Sequence, residues 1–455
     1  MSDSQGISGG PLHFLDMRKL PGDNRLGSII PGPIQPSYEL VDKVQSIIDR
    51  VCSGGDLAIA ELTNTYDNVA ILSTRVEPEE IDLAYRRCDS DLIESLQIAH
   101  DNIRSYQIER AKFQRIGEVQ EYTGLGIRVT TQRIPLERVG IYVPGGRAKY
   151  PSTVLMTAIP ALVAGVHEIV LCVPPSSSGN PPDETLAAAK IAGVQEVYRI
   201  GGAQAIAAMA YGTESIRPTL AIVGPGNIFV SIAKQLVAGK VLVPGAIAGP
   251  SEVVVVCDES TDPVFAAVDL AVQAEHGPDG LAWLITTSSN VVEEVNRNLA
   301  KIVANSSRKS DLEKTLSQGG YACLVSDLTQ AASLINEIAP EHLEILLENG
   351  DELAGMVNSA GVIFLGPMVP ASVGDYLAGP SHVLPTNRTA KFAGALSVID
   401  FTKELSKVTL EDEQFADIER HIATIAKCEG LQAHGESVTL RLRKSISQEN
   451  NGDSE

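Results

Sequence analysis

Gln273 and His276 are residue types that bind metal ions, and they stand three positions apart in the segment DLAVQAEHGPD, residues 269–279. The apolar residues around Gln273 predict a helix, in which positions i and i+3 lie on one face. Both side chains can then reach one metal ion. The alternative is a helix end at Gly277-Pro278, where an imidazole in the last turn suits the helix dipole. A metal site needs further ligands from elsewhere in the chain.

Candidate partners stand in three later segments that combine a histidine with an acid: Glu341-His342, Asp375 with His382, and Glu429 with His434. A set of imidazole, carboxylate and amide groups suits zinc or another borderline divalent ion. Each histidine taken singly also fits a helix cap or a turn. Glu341 and His342 are adjacent, and adjacent side chains of a regular element diverge, so they would serve two faces of one pocket. An acid and an imidazole there can act as general bases for two different protons.

Composition excludes several classes of partner. The net charge of −21 disfavours nucleic acid and anionic membranes, and 4% aromatic residues provide few stacking surfaces for single strands. The six cysteines form no CxxC pair, which argues against a thiolate zinc site and a disulfide framework. No secretory signal and no run of 18 apolar residues is visible. We therefore expect a cytoplasmic enzyme or binding protein in a reducing compartment.

Short apolar runs that alternate with helical segments predict the fold class. The first series lies within 139–248 and the second within 249–395. Such alternation predicts an α/β fold with two Rossmann-like parallel-sheet domains. Residues 37–138 have helical periodicity followed by short strands, and we group them with 249–395 as the larger domain. We expect an N-terminal tail and arm over 1–36 and a small C-terminal appendage over 396–455.

Glycine-rich turns follow the strands of the 139–248 series. They are Pro144-Gly145-Gly146, Gly201-Gly202 and Gly224-Pro225-Gly226-Asn227. Ligands of parallel sheets bind at the carboxyl ends of the strands, where these turns stand. No GxGxxG fingerprint is present in this series. Tight turns and a nucleotide site therefore both remain open from spacing alone.

Several longer segments resemble the histidinol dehydrogenase family. They include RVGIYVPGGRAKYPSTVLMTAIPALVAGV (138–166), YRIGGAQAIAAMAYGTESI (198–216), AGPSEVVVV (248–256), QAEHGPD, APEHLEI and GDYLAGPSHVLPT. The resemblance runs from about residue 37 to 443. It implies a zinc- and NAD-dependent homodimer that carries out the last two steps of histidine biosynthesis, with 139–248 as the NAD-binding domain. This chain departs from the family at KVLVPGAI, residues 240–247, and its first 36 residues match nothing in the family.

The resemblance also implies roles for particular residues. One zinc ion per subunit would be bound by Gln273, His276, Asp375 and His434, with the last contributed by the other subunit through an exchanged appendage. Glu341 and His342 match the catalytic pair. Histidinol would bind the zinc, and the residues expected to contact it further are His342, Ser251, His382 and Glu429. Positions lining the NAD site would be Tyr142, Gln204 and Asn227.

The expected mechanism follows from converting a primary alcohol to a carboxylate, which needs two hydride transfers and one addition of water. His342 would accept the alcohol proton, and Glu341 would activate the water. Three alternatives remain from the residues alone. One is a related enzyme that oxidises another small diol or amino alcohol, such as sulfopropanediol. The others are a zinc hydrolase and a binding protein without catalysis.

Overall fold

The structure is a computed structural model that describes residues 10–19, 30–31, 35–146, 148–245, 249, 251–275, 277, 279–410 and 412–452. The chain divides into two units. The first comprises residues up to Ala111 together with Leu136–Phe401, and the second comprises Lys112–Pro135 and the residues from Thr402 onward. Parallel strands alternate with helices in the first unit, which confirms the predicted α/β class.

The first unit contains a five-stranded sheet. Strands β5, β6, β7 and β8 run parallel, while the short edge strand β2 pairs antiparallel with β7, in the order β2-β7-β6-β5-β8. The four parallel strands are short, and their apolar residues are buried because helices cover the sheet. Their bounds are Arg75–Val76 for β2, Arg138–Tyr142 for β5, Glu168–Cys172 for β6, Glu196–Tyr198 for β7 and Ala221–Val223 for β8.

Seven helices precede, connect or follow these strands in the described chain. Their bounds are Tyr38–Asp67 for α1, Pro78–Arg87 for α2, Ser90–Phe113 for α3, Pro151–Val163 for α4, Asp183–Ile191 for α5, Gly202–Tyr211 for α6 and Ile228–Val237 for α7. Helix α1 is interrupted at Gly55, whose φ of 52° is left-handed. The buried face of α1 shares a core with α6 and α7. Sequence analysis grouped this helix with residues 249–395 instead.

A six-stranded parallel sheet forms the other half of the first unit, in the order β1-β11-β10-β9-β12-β13. Its strands are His13–Asp16 for β1, Glu252–Val256 for β9, Leu281–Thr286 for β10, Gly320–Leu324 for β11, His342–Ile345 for β12 and Val362–Leu365 for β13. Strand β1 comes from the segment that we expected to be an arm. It pairs with β11, so part of that segment belongs to the sheet.

Six helices accompany the six-stranded sheet in the described residues. They are Pro263–Ala274 for α8, Ser289–Asn305 for α9, Lys309–Gly319 for α10, Leu328–Ile338 for α11, Asp351–Met356 for α12 and Ala371–Tyr376 for α13. Apolar residues pack on both faces of the sheet, with α8 and α9 on one side and α11 on the other. This layering places the helix with Gln273 over the strand with His342.

The second unit combines a small sheet with two helices. Strands β3 (Val119–Gly124), β4 (Ile127–Pro135) and β14 (Thr402–Leu410) pair antiparallel in the order β14-β4-β3. Helices α14 (Asp412–Cys428) and α15 (Gln432–Gly452) follow. The expected appendage therefore also includes two strands from much earlier in the chain. No described helix in either unit is long and apolar enough to cross a membrane.

Candidate functional site

Glu341 and His342 stand at the amino end of β12, between the neighbouring strands β9 and β13. Their side chains are buried, with relative exposures of 8% and 5%. The His342 Nδ1 atom lies 3.7 Å from Glu341 Oε2, and its Nε2 atom lies 3.5 Å from Asp375 Oδ1. Both distances exceed those of ordinary hydrogen bonds. The two ring nitrogens of His342 are buried and have no hydrogen-bond partner among the described residues.

The electrostatics of this pair suit proton transfer near neutral pH. Burial raises the pKa of Glu341 to about 7, although the charge of His342 and a hydrogen bond from the Glu252 N–H, 3.1 Å long, act in the opposite direction. Burial lowers the pKa of His342, but the carboxylates of Glu341 and Asp375 outweigh it and raise that pKa overall. General bases are most effective when their pKa lies near the working pH. Glu341, with a pKa of about 7, meets this condition.

His382 is held between Asp375 and helix α4. Its Nδ1 atom lies 3.0 Å from the backbone carbonyl oxygen of Asp375, and its Nε2 atom lies 3.1 Å from Thr153 Oγ1. A carbonyl oxygen only accepts, so Nδ1 carries the hydrogen and Nε2 accepts from the Thr153 hydroxyl. The loop between them is fixed by Gln107, which donates to the Gly379 carbonyl at 3.0 Å. Sequence analysis missed Thr153, whose hydroxyl orients this histidine.

Gln273 lies in the last turn of α8 and is 4% exposed. The helix begins at Pro263 because Asp262 caps it, accepting the Val264 N–H at 2.9 Å. The buried Gln273 Nε2 has no partner among the described residues, so the amide is not satisfied by the core. His276 lies outside the described residues, and its predicted pairing with Gln273 stays a prediction. The predicted helix is confirmed as far as Ala274.

Glu429 and His434 belong to the second unit. Glu429 follows the last residue of α14, and His434 stands in the first turn of α15. Both side chains are exposed. Because Gln273 and Asp375 belong to the first unit, the four predicted zinc ligands are not gathered within one unit. Among the described residues, which do not include His276, no three histidine, cysteine, aspartate or glutamate side chains form a group that could hold a metal ion.

Two buried carboxyl groups that sequence analysis missed connect β12 with α8. Glu344 lies on the same face of β12 as His342, and it hydrogen-bonds Asp269, one helical turn before Gln273. Burial raises the pKa of Glu344 to about 9, with a further increase from the charge of Asp269, and burial also raises the pKa of Asp269. The pair therefore holds a proton at neutral pH. The signal in the sequence that could have revealed this pair is that each acid stands inside an apolar stretch.

Glu252 is a third buried acid that sequence analysis missed, and it directly follows Ser251. It is 3% exposed, and burial together with the charge of Glu341 raises its pKa to about 8. Its Oε1 atom accepts the Asn387 N–H at 3.2 Å. The Ser251 carbonyl accepts the Leu281 N–H at 3.0 Å, which fixes the backbone there. Glu252 thus joins the end of β9 to Glu341, and Ser251 lies beside that contact.

The three residues predicted to line the NAD site gather at the carboxyl ends of β5, β7 and β8. The Tyr142 hydroxyl accepts the Gly202 N–H at 3.1 Å, and Gln204 is buried two residues further along α6. Asn227 caps α7, where its Oδ1 atom accepts the N–H groups of the second and third helical residues. This edge of a parallel sheet is where ligands bind. Glu341 and His342 stand instead at the amino end of β12 in the six-stranded sheet.

The glycine that follows β8 allows the turn there to pack closely against the backbone of β5. Gly224 has a φ of 106°, a conformation that side chains rarely adopt, and a Cβ atom there would collide with the Tyr142 carbonyl oxygen. The first unit thus combines parallel sheets, a buried acid–imidazole pair and glycine turns at the edge of a sheet where ligands bind.

Comparisons with known proteins give the particular family. The family model described as histidinol dehydrogenase matches residues 33–442. A histidinol dehydrogenase of Bacillus thuringiensis is 44% identical over 88% of this chain and 91% of its own. One from Clostridium acetobutylicum is 40% identical over 93% of this chain and 97% of its own. The crystal structure of histidinol dehydrogenase from Elizabethkingia anophelis is 32% identical, covers 97% of this chain and all of its own, and superposes with a TM-score of 0.89.

The chain belongs to the histidinol dehydrogenase family. It is therefore an NAD-dependent oxidoreductase, as the resemblance implied. This membership disfavours the hydrolase and the non-catalytic binding protein that the residues alone left open.

Proposed function

We propose that the protein oxidises L-histidinol to L-histidine through histidinal and reduces two NAD⁺ in the last steps of histidine biosynthesis. The observation that carries the proposal is the buried Glu341-His342 pair, in which the imidazole lies 3.7 Å from one carboxylate and 3.5 Å from that of Asp375. An oxidation in two stages needs a base for the alcohol proton and a base for water. This pair supplies both, with pKa values raised toward the working range.

In the first stage, His342 accepts the hydroxyl proton of histidinol while the hydride passes to NAD⁺, which forms histidinal and NADH. Glu341 then takes a proton from water as the water oxygen adds to the aldehyde carbon, and the carbonyl oxygen takes back the proton held by His342, which leaves that imidazole neutral again. In the second stage, the hydrate gives its hydroxyl proton to His342 and its hydride to a second NAD⁺. The carboxylate of histidine results, and the two stages together release two NADH.

We further propose that Gln273, His276 and Asp375 hold a zinc ion together with His434 of the partner subunit. The donor set of an amide oxygen, a carboxylate and two imidazoles suits zinc. Zinc, when bound, binds and orients the imidazole and amino nitrogens of histidinol. Asp375 also lies beside His342, which would bring the held substrate close to the base.

Exposed apolar side chains support the proposed homodimer. Helix α8, which carries Gln273, exposes Val264, Phe265 and Val268. Helix α13, which carries Asp375, exposes Val373 and Tyr376. Large apolar groups near a site indicate an interaction surface. The exposed Glu429 and His434 would complete the site in the partner subunit, where Glu429 would contact the cationic substrate.

All six cysteines are free thiols, which supports the proposed cytoplasmic location.

A count of NADH formed for each L-histidinol consumed tests this function. We expect two NADH for each histidinol, loss of the reaction on chelation, and recovery on addition of zinc. Sulfopropanediol serves as the alternative substrate in the same assay. One NADH for each histidinol, or faster turnover of sulfopropanediol than of histidinol, would contradict the proposal.

A further inference from the structure

Lys234 is a buried lysine on α7, beside the five-stranded sheet. It is 3% exposed, and the same helix buries apolar residues around it. Lysine is seldom fully buried unless its charge is paired. Burial lowers the pKa of Lys234 to about 8, and no described carboxylate contributes to that shift. The first unit therefore buries the amino group of Lys234, and no salt bridge to a described residue accompanies it.

The position of the ammonium group is defined by one hydrogen bond. The Lys234 Nζ atom donates to the backbone carbonyl oxygen of Gly224, which stands ten residues earlier, at the end of β8. The side chain thus reaches back to the N-terminus of its own helix. This hydrogen bond fixes Gly224, the first residue of the turn Gly224–Asn227. The last residue of the turn, Asn227, is fixed because it caps α7. The same turn packs on the Tyr142 backbone, through the close approach of Gly224.

Two positive features therefore coincide at this turn. The N-terminus of α7 carries the partial positive charge of the helix, and Lys234 adds a full charge behind it. Such helix N-termini bind phosphate groups, especially after a glycine-rich turn. Tyr142 and Gln204 lie at the same edge of the sheet, and the diphosphate of NAD is an anion.

We propose that Lys234 is a positioning residue of the coenzyme site, which orders the Gly224–Asn227 turn and favours the NAD diphosphate at the N-terminus of α7. The proposal rests on the NAD-dependent function. It adds a residue that contacts the turn, and not the reacting atoms, to the three residues already expected at this edge.

The variant K234M tests the proposal because methionine keeps most of the length of the side chain without the charge or the donor. Methionine removes the cost of burying the ammonium group but leaves the Gly224 carbonyl without its donor, so the unfolding temperature of K234M is measured beside its coenzyme binding. We expect NADH and ADP-ribose to bind at least tenfold more weakly, about 1.4 kcal/mol. Adenosine binding and the KM for histidinol should stay within twofold of the wild type.

The matched control is K240M, since Lys240 lies just beyond α7 and is exposed. The affinity of K240M for NADH should stay within twofold of that of the wild type. Binding of NADH to K234M within twofold of the wild type would overturn the proposal. The proposal would also be overturned if K234M bound adenosine and ADP-ribose more weakly by the same factor, because the loss would then not depend on the diphosphate.

If K234M does not accumulate as a folded protein, K234Q replaces it: glutamine removes the charge but keeps an N–H donor, and we expect the same weaker binding of NADH and ADP-ribose. The binding titrations also separate this proposal from the proposed function. Wild-type protein that binds NADH but leaves histidinol unoxidised contradicts the function, while the ADP-ribose comparison still decides the role of Lys234.

Discussion

Glu344 of β12 hydrogen-bonds Asp269 of α8, and this carboxyl pair links the strand that carries His342 to the helix that carries Gln273. Because one of the two carboxyl groups must carry a proton to donate, an amide can replace it. We expect E344Q to stay within about 1 kcal/mol of the wild type in urea unfolding. E344L should lose about 1–3 kcal/mol, since Asp269 would then be buried without its partner.

The exposed Glu348 provides the control for this comparison, because both E348Q and E348L should leave stability unchanged. Equal destabilisation by E344Q and E344L would show that the hydrogen bond does not matter. Activity should follow the same order as stability, since the pair positions the elements of the site.

The pH dependence of stability should report Glu252. Its pKa is raised from 4.5 to about 8 by burial and by the charge of Glu341. Between these values the unfolded chain is ionised at this position while the folded chain is protonated, so stability falls as pH rises. E252Q removes this titration and keeps an acceptor for the Asn387 N–H. We expect E252Q to gain at least about 2 kcal/mol over the wild type between pH 5 and pH 8.

Urea unfolding at several pH values measures this difference, with E348Q as the exposed control. A constant difference between E252Q and the wild type across the range would contradict the assignment. If the stability advantage of E252Q over the wild type decreased as pH rises, Glu252 would be ionised in the folded protein and stabilised by its surroundings.

The division of labour in the catalytic pair can be tested with histidinal as the starting substrate. E341Q should slow histidinal oxidation by about 10²-fold or more, because no base activates water, and should still oxidise histidinol to histidinal. H342Q should slow both oxidations. Wild-type rates of histidinal oxidation in E341Q would assign the activation of water to another group.

Histidinal oxidation should also depend on pH through Glu341, whose pKa is raised to about 7 by burial. Protonated Glu341 cannot accept a proton from water, so the rate should rise as pH increases through about 7 and level off above it. The pH–rate profile of kcat measures this limb. If the residual activity of E341Q rose with pH through the same range, the rise would belong to a residue other than Glu341.

Subunit complementation tests the proposed sharing of the zinc site. D375N and H434N homodimers should each be inactive, because every site lacks one ligand. A heterodimer of the two has one intact site and one doubly altered site, so random exchange should restore about a quarter of the wild-type activity. Activity that stays absent after verified exchange of subunits would place all four ligands within one chain.

The amino-acid sequence by itself determined the local elements and the family. Periodic apolar residues indicated α1 and α8, because helix and strand periods are properties of neighbouring residues. The glycine turns after β7 and β8 were likewise visible in the sequence. The adjacency of Glu341 and His342 was evident, and so was their capacity to serve as two bases.

Only the tertiary structure decided which distant groups meet. Strand β1 joins β11 across most of the chain, and Lys234 turns back to Gly224, because pairing and side-chain direction depend on contacts outside the local window. The layering of α8 on the sheet brought Asp269 to Glu344, which made two ordinary acids into a buried pair with raised pKa values. Burial and partners arise from folding, so the pKa values of Glu252 and Glu341 could not be inferred from residue type.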